Sequence, residues 1–184
     1  ERLDTVISNL MLGLCLVFIS MWVLINIRVA LVVAMGIPFS FIIGLLFIYY
    51  MGYSINIVSL LGALIVIGIV VDDAIVVGEN IQRHIDEGMD NKEAAILGVK
   101  EMLLPVTLAT ISTVMAFLPM FMLHGEIALF FVLIPIVVVM ILLGSLIESF
   151  FFLPLHAEEI LRKSNNFLDW TPFQSLYARV LSYF

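Results

Sequence analysis

Charge is the scarcest commodity in this sequence. Of 184 residues only 12% are Asp, Glu, Lys or Arg, 63% are hydrophobic, and mean hydropathy is +1.20. Soluble domains carry about a quarter charged residues, so a water-facing surface along the whole chain is excluded and lipid is the expected solvent. Basic residues number only eight and form no basic patch in the sequence, which argues against a nucleic-acid partner. Cysteine is nearly absent. Cys15 lies alone inside an apolar run, so no internal disulfide can form and the thiol reads as a small core- or lipid-facing side chain. His84, His124 and His156 stand apart near the ends of apolar runs, so no metal cluster is expected. A short basic leader is missing before the first apolar run, which is therefore not read as a signal peptide. The ends, ERLD and LSYF, read as cuts through a longer protein.

What is abundant is long apolar runs. A spanning helix needs about 20 mostly apolar residues, and five runs reach that length: roughly 6–27, 29–51, 55–77, 102–123 and 128–155. The expected fold is an all-α membrane bundle over 1–155, followed by a linker and surface helix over 156–184. Pro38, Pro105, Pro119 and Pro135 fall inside or at the edges of these runs, where membrane helices tolerate them. The polar stretch 78–101 reads as a loop with a helical segment on the membrane surface, Asn91 being its expected N-cap. In the tail, Thr171-Pro172 opens a segment in which Phe173, Leu176, Tyr177, Val180, Leu181 and Phe184 recur at helical spacing. That is an amphipathic interface helix. Five alternating spans put Arg28, Arg83, Lys92, Lys100, Arg162, Lys163 and Arg179 on one side and Arg2 alone on the other. The positive-inside rule then makes the first side cytoplasmic, with the chain's N-terminus outside and its C-terminus inside.

Against this apolar background two adjacent acids stand out, Asp72 and Asp73 in LIVIGIVVDDAIVVGEN. An ionised carboxylate inside a span costs on the order of 2.5–3.5 kcal/mol even on forgiving scales, and none of the five spans holds a Lys or Arg to offset it. Binding a proton removes that cost, which is the physical basis for reading the pair as a proton relay. Neighbouring helical residues point about 100° apart, so the two acids address different neighbours. Gly68, one turn from Asp72, and Gly62, nearly in line with Asp73, would let other helices come close. Glu148, in GSLIESFFFLP, is the other acid deep in a span. It is either a second station on a proton path or a side chain that reaches the interface or bonds a neighbouring backbone. Thr107, Thr110, Ser112 and Thr113 line the fourth span, where hydroxyls either bond back to their own helix or line a wet path to the aspartates. Thr110 and Thr113 are the candidates for that path.

The stretch Gly68–His84, GIVVDDAIVVGENIQRH, resembles the fourth transmembrane helix of the resistance-nodulation-division (RND) efflux permeases. EAAILGVKE is similar to that family's following loop, and SLIESFFFLPLH to its sixth helix. The likeness covers nearly the whole chain, as the second to sixth helices plus the next surface helix. It is strongest to the hydrophobe/amphiphile, acriflavine-resistance type. What the resemblance implies is a proton-driven drug antiporter of the Gram-negative inner membrane, with no cofactor and the proton as coupling ion. The implied assembly is a homotrimer docked with a periplasmic adaptor and an outer-membrane channel. In that family the two adjacent aspartates carry the transported protons, and those positions match Asp72 and Asp73. Their lysine partner lies on the tenth helix, in a second repeat that this chain does not include.

Other readings share the same features. A related exporter of lipid, metal or protein would have the same membrane fold. An intramembrane aspartyl protease also needs two membrane aspartates, but on two facing helices that reach one water, whereas these are neighbours on one helix. The piece by itself is expected to be inactive, since half of a two-repeat bundle cannot alternate access.

Overall fold

The computed structural model describes residues 2–53, 56–125, 128 and 131–163. The expected interface helix at 171–184 lies outside the described residues. Helix α1 runs Arg2–Leu24 and α2 runs Ile27–Tyr50. The turn between them is set by Asn26, whose side chain accepts the Arg28 N–H at 3.0 Å. Pro38 is accommodated inside α2 without a break. After a turn at Gly52 (φ 78°), Asn56 and Ser59 cap α3, Ile57–Asp86, reciprocally, which satisfies backbone donors that the first turn leaves free.

Helix α3 does not stop at Val77. It continues to Asp86, and α4, Asn91–Phe117, begins after four intervening residues. The stretch 78–101 is therefore two helix ends joined by a tight turn at Gly88 (φ 100°), the second of which runs on without a break into the fourth apolar run. Hydropathy marks where lipid begins, not where hydrogen-bonded backbone ends. The cap of α4 is Asp90, which accepts the Lys92 N–H, rather than Asn91. Asn91 instead donates to the carbonyls of Glu158 and Leu161. The apolar stretch of α4 starts at Met102, and at Leu118–Met122 the helix tightens into a 3₁₀ turn where Pro119 has no N–H to continue it. Helix α5 spans Leu133–Ile147, widens into a single π turn at Glu148–Phe152, and continues as α6, Leu153–Ile160. The rod thus passes Leu155, the expected limit. The wide turn precedes Pro154, whose ring would otherwise meet the carbonyl four residues back. Helices α2, α3, α4 and the α5–α6 rod are each long and apolar enough to cross a membrane; α1 contributes a shorter apolar stretch, Met11–Val23.

Small residues set the packing. Gly44 of α2 meets Ile141 of α5, Gly144 of α5 meets the Ser40 carbonyl, and Gly36 meets Glu148, so α2 and the α5–α6 rod pack antiparallel. Gly62 of α3 meets Ile134 and Val137 and Asp73 meets Ser145 further on, so α3 and α5 run parallel; Gly98 of α4 meets Ile81 while Thr110 meets Asp73, so α3 and α4 run antiparallel. Close backbone approach of this kind is how helices associate where the surroundings are as apolar as the side chains. Two buried apolar clusters result. One holds Val33, Ile37, Val71, Ala74, Val77, Ile81 and Leu153. The other holds Ile48, Val66, Val70, Val137, Ile141 and Leu142. Arg28, Arg83, Lys92 and Arg162 lie at helix ends beside the first cluster, which we call the basic end.

Candidate functional site

Every helix that crosses from one cluster to the other is polar at the crossing. On α2 it is Ser40, on α3 Asp73, on α4 Thr110, and on the rod Ser145, Glu148 and Ser149, all buried. A polar layer inside an apolar bundle is costly unless its members bond one another, and these do.

Asp73 is 7% exposed. Ser145 Oγ donates to its Oδ2 at 3.3 Å, and Thr110 Oγ1 approaches the same oxygen at 3.5 Å. Thr110 also donates to the Val106 carbonyl at 3.0 Å. One hydroxyl has one proton, so the shorter bond takes it and Ser145 is the firmer donor to Asp73. A hydroxyl can equally accept, so the same groups can serve a protonated carboxyl without moving. Among the described residues no Lys, Arg or His forms an ion pair with Asp73.

Asp72 turns away. It is exposed, on a stripe with Leu61, Ile65, Gly68, Val76, Glu79 and Arg83 at steps of three and four residues. A Cβ on Gly68 would meet nothing within 4 Å. Gly68 therefore makes no close helix contact inside the described bundle, whereas Gly62 does. Because the aspartates look to different sides of α3, they do not share one water-sized space. Thr113 is half-buried and bonds the Ala109 carbonyl, and Ser112 bonds that of Leu108. Of the two threonines proposed for a path, Thr110 reaches the acid and Thr113 turns back on its own helix. Glu148 is buried, 2% exposed, and takes a bond from Ser149 Oγ at 3.3 Å; among the described residues no backbone group bonds it.

At the basic end a second polar group fastens the helices. Glu101 Oε2 receives Asn80 Nδ2 at 2.9 Å and Arg83 Nη2 at 3.0 Å, and lies 3.0 Å from His84 Nε2. The Asn80 amide first, then His84, hold the Glu101 carboxyl below its ordinary value. Gln82 donates to the Arg162 carbonyl at 3.0 Å and, with Asn91, ties off the C-terminus of α6.

Three contributors were not anticipated: Ser145, Ser149 and the Gly36–Ser40–Gly44 series. The signal existed. Ser145 and Ser149 flank Glu148 at helical spacing in GSLIES, and Gly36, Ser40 and Gly44 recur every fourth residue, the pattern of a close-packing face.

The AcrB/AcrD/AcrF family pattern matches residues 1–181. Among curated relatives, the "Multidrug resistance protein MdtC" of Pantoea ananatis (strain AJ13355) is 36% identical over 161 residues, covering 87% of this chain and 16% of that protein. The "Swarming motility protein SwrC" of Bacillus subtilis (strain 168) is 33% identical over 168 residues, covering 89% and 16%. The MdtC protein of Erwinia tasmaniensis is 42% identical over 104 residues, covering 56% and 10%. The chain thus spans about one-sixth, 16%, of the length of the first two.

Proposed function

This chain belongs to the AcrB/AcrD/AcrF family of RND efflux permeases, and we propose that it is the part of a drug/proton antiporter's membrane domain that carries proton coupling. The observation that supports this is Asp73. It is a carboxyl buried at the waist of four helices, bonded by hydroxyls that suit both its protonation states, with no cation partner among the described residues. Asp72 completes the pair from the exposed face, where a helix of the missing second repeat supplies a cation and approaches closely over Gly68. Each proton crossing is worth about 2.3 kcal/mol per 100 mV. Loading and unloading Asp73 changes which helix packing is favoured, and that shift drives the remainder of the protein.

The basic end faces the cytoplasm, as the distribution of Arg and Lys suggests, in a bacterial inner membrane. The complete protein works as a homotrimer with a periplasmic adaptor and an outer-membrane channel, and its drug-binding residues lie outside this chain. No cofactor takes part. The test is substrate-driven proton flux. In proteoliposomes holding the complete protein under a pH gradient, adding transported drug should dissipate the gradient. A gradient that persists while drug is transported sinks the coupling reading.

A further inference from the structure

Glu148 is a buried acid that the coupling scheme above does not use. Its carboxyl occupies the notch that Gly36 leaves on α2; a Cβ at position 36 would collide with Oε1. Ser149 Oγ is its one hydrogen-bond donor among the described residues, and none of them forms an ion pair with it. The backbone carrying it is the π turn Glu148–Phe152, held against α2 by stacking of Phe152 on Phe39 at 5.7 Å. Single π turns of this kind are frequent at functional sites.

The titratable groups around Glu148 leave it without a countercharge. Helix α2 carries none between Arg28 and Tyr49, and α4 none after Glu101. Helix α3 brings buried Asp73 and exposed Glu79. Helix α6 brings His156, 2.7 Å from the Phe152 carbonyl through Nδ1, and the acids Glu158 and Glu159. An ionised carboxylate with one hydroxyl partner inside an apolar bundle is expensive, and a proton removes that cost.

Position matters as much as burial. Asp73 is bonded by Ser145, and Glu148 by Ser149, so two acid–hydroxyl pairs follow one another along the same rod. Ser145 and Ser149 are four residues apart, about one turn or roughly 6 Å of rise along the rod, and Glu148 is the acid nearer the basic end, toward Leu153 and Ala157. We propose that Glu148 is a second proton-binding site: the proton leaving the Asp73 carboxyl is taken by the Glu148 carboxylate and released toward the basic end. One proton moves and no other bond changes. This rests on the coupling reading above.

The test uses the complete protein in proteoliposomes. Glu148→Gln preserves shape and the Ser149 bond, so a merely structural role would tolerate it. The expected result is substrate binding at the parent level, drug-coupled proton flux reduced by about tenfold or more, and a pH profile that loses one limb, with Glu148→Asp restoring part of both. On the unmodified protein, dicyclohexylcarbodiimide should label Glu148 faster in acidic than in alkaline buffer, read by peptide mass spectrometry. A Glu148→Gln protein with the parent rate and pH profile overturns the proposal, as does labelling that ignores pH. Asp73→Asn run alongside separates the two claims. Coupling lost at Asp73 but intact at Glu148 overturns only the second site, and coupling intact in Asp73→Asn overturns the reading beneath it.

Discussion

Asp72 and Asp73 are chain neighbours on α3, yet Asp73 is 7% exposed between α4 and α5 while Asp72 lies on the exposed stripe beside Gly68. One residue of helix, about 100° of rotation, separates an acid bonded by hydroxyls of neighbouring helices from an acid on the exposed face of α3.

The hydroxyls of the buried layer should not be equal. Among the described residues Ser145 donates to Asp73 alone, whereas Thr110 donates to the Val106 carbonyl at a shorter distance than to Asp73. Ser145→Ala should slow coupled transport more than Thr110→Val does, because losing the firmer bond to a buried carboxyl costs about 1–3 kcal/mol. Initial rates of drug-driven proton flux for the two variants decide it; a larger loss at Thr110 contradicts the assignment.

Glycine positions separate packing within the described bundle from the open face of α3. A Cβ on Gly44 would stand 2.7 Å from the Ile141 Cα, backbone that no rotamer change can move aside. Gly44→Ala should cost about 1–3 kcal/mol through overpacking and lower the thermal midpoint. Gly68→Ala meets nothing in the described bundle. Its thermal effect should be smaller than that of Gly44→Ala, while drug efflux falls if a helix docks there. Thermal unfolding and efflux, measured on both variants of the complete protein, test the pair. Equal thermal losses would contradict the packing described.

The Glu101 cluster gives a pH dependence. Its folded-state carboxyl is held below the ordinary 4.5, first by Asn80. A depressed carboxyl stabilises the fold above its unfolded value, and that contribution is lost as pH falls through the folded value. The side chain is 37% exposed, so solvent screening keeps the effect small. Glu101→Gln should be slightly less stable than the parent near neutral pH, with the gap closing below pH 4.5. A gap that stays constant with pH would show that Glu101 contributes nothing through its charge.

Much of this was legible beforehand. Long apolar runs announced the bundle, and Asp72, Asp73 and Glu148 were conspicuous because lipid makes each one expensive. The ends of α3 and α4 were not, because a helix leaving the membrane keeps its hydrogen bonds after its side chains turn polar, as Glu79–Asp86 do. Nor was it legible which aspartate faces inward. The residues around them are apolar on all sides, so periodicity separates the two directions without ranking them. Ser145 was overlooked for a related reason: its spacing with Ser149 beside Glu148 marks a polar strip on the helix, but not that the residue it faces is Asp73.

The central claim is that Asp73 carries the coupled proton, and Asp73→Asn in the complete protein tests it most directly. Asn keeps the size and can still bond Ser145 and Thr110, but it cannot bind and release a proton in this range. Drug binding at the parent level with efflux and drug-driven proton flux both abolished is the predicted result. Efflux at the parent rate, with the proton gradient still drawn down, would contradict it.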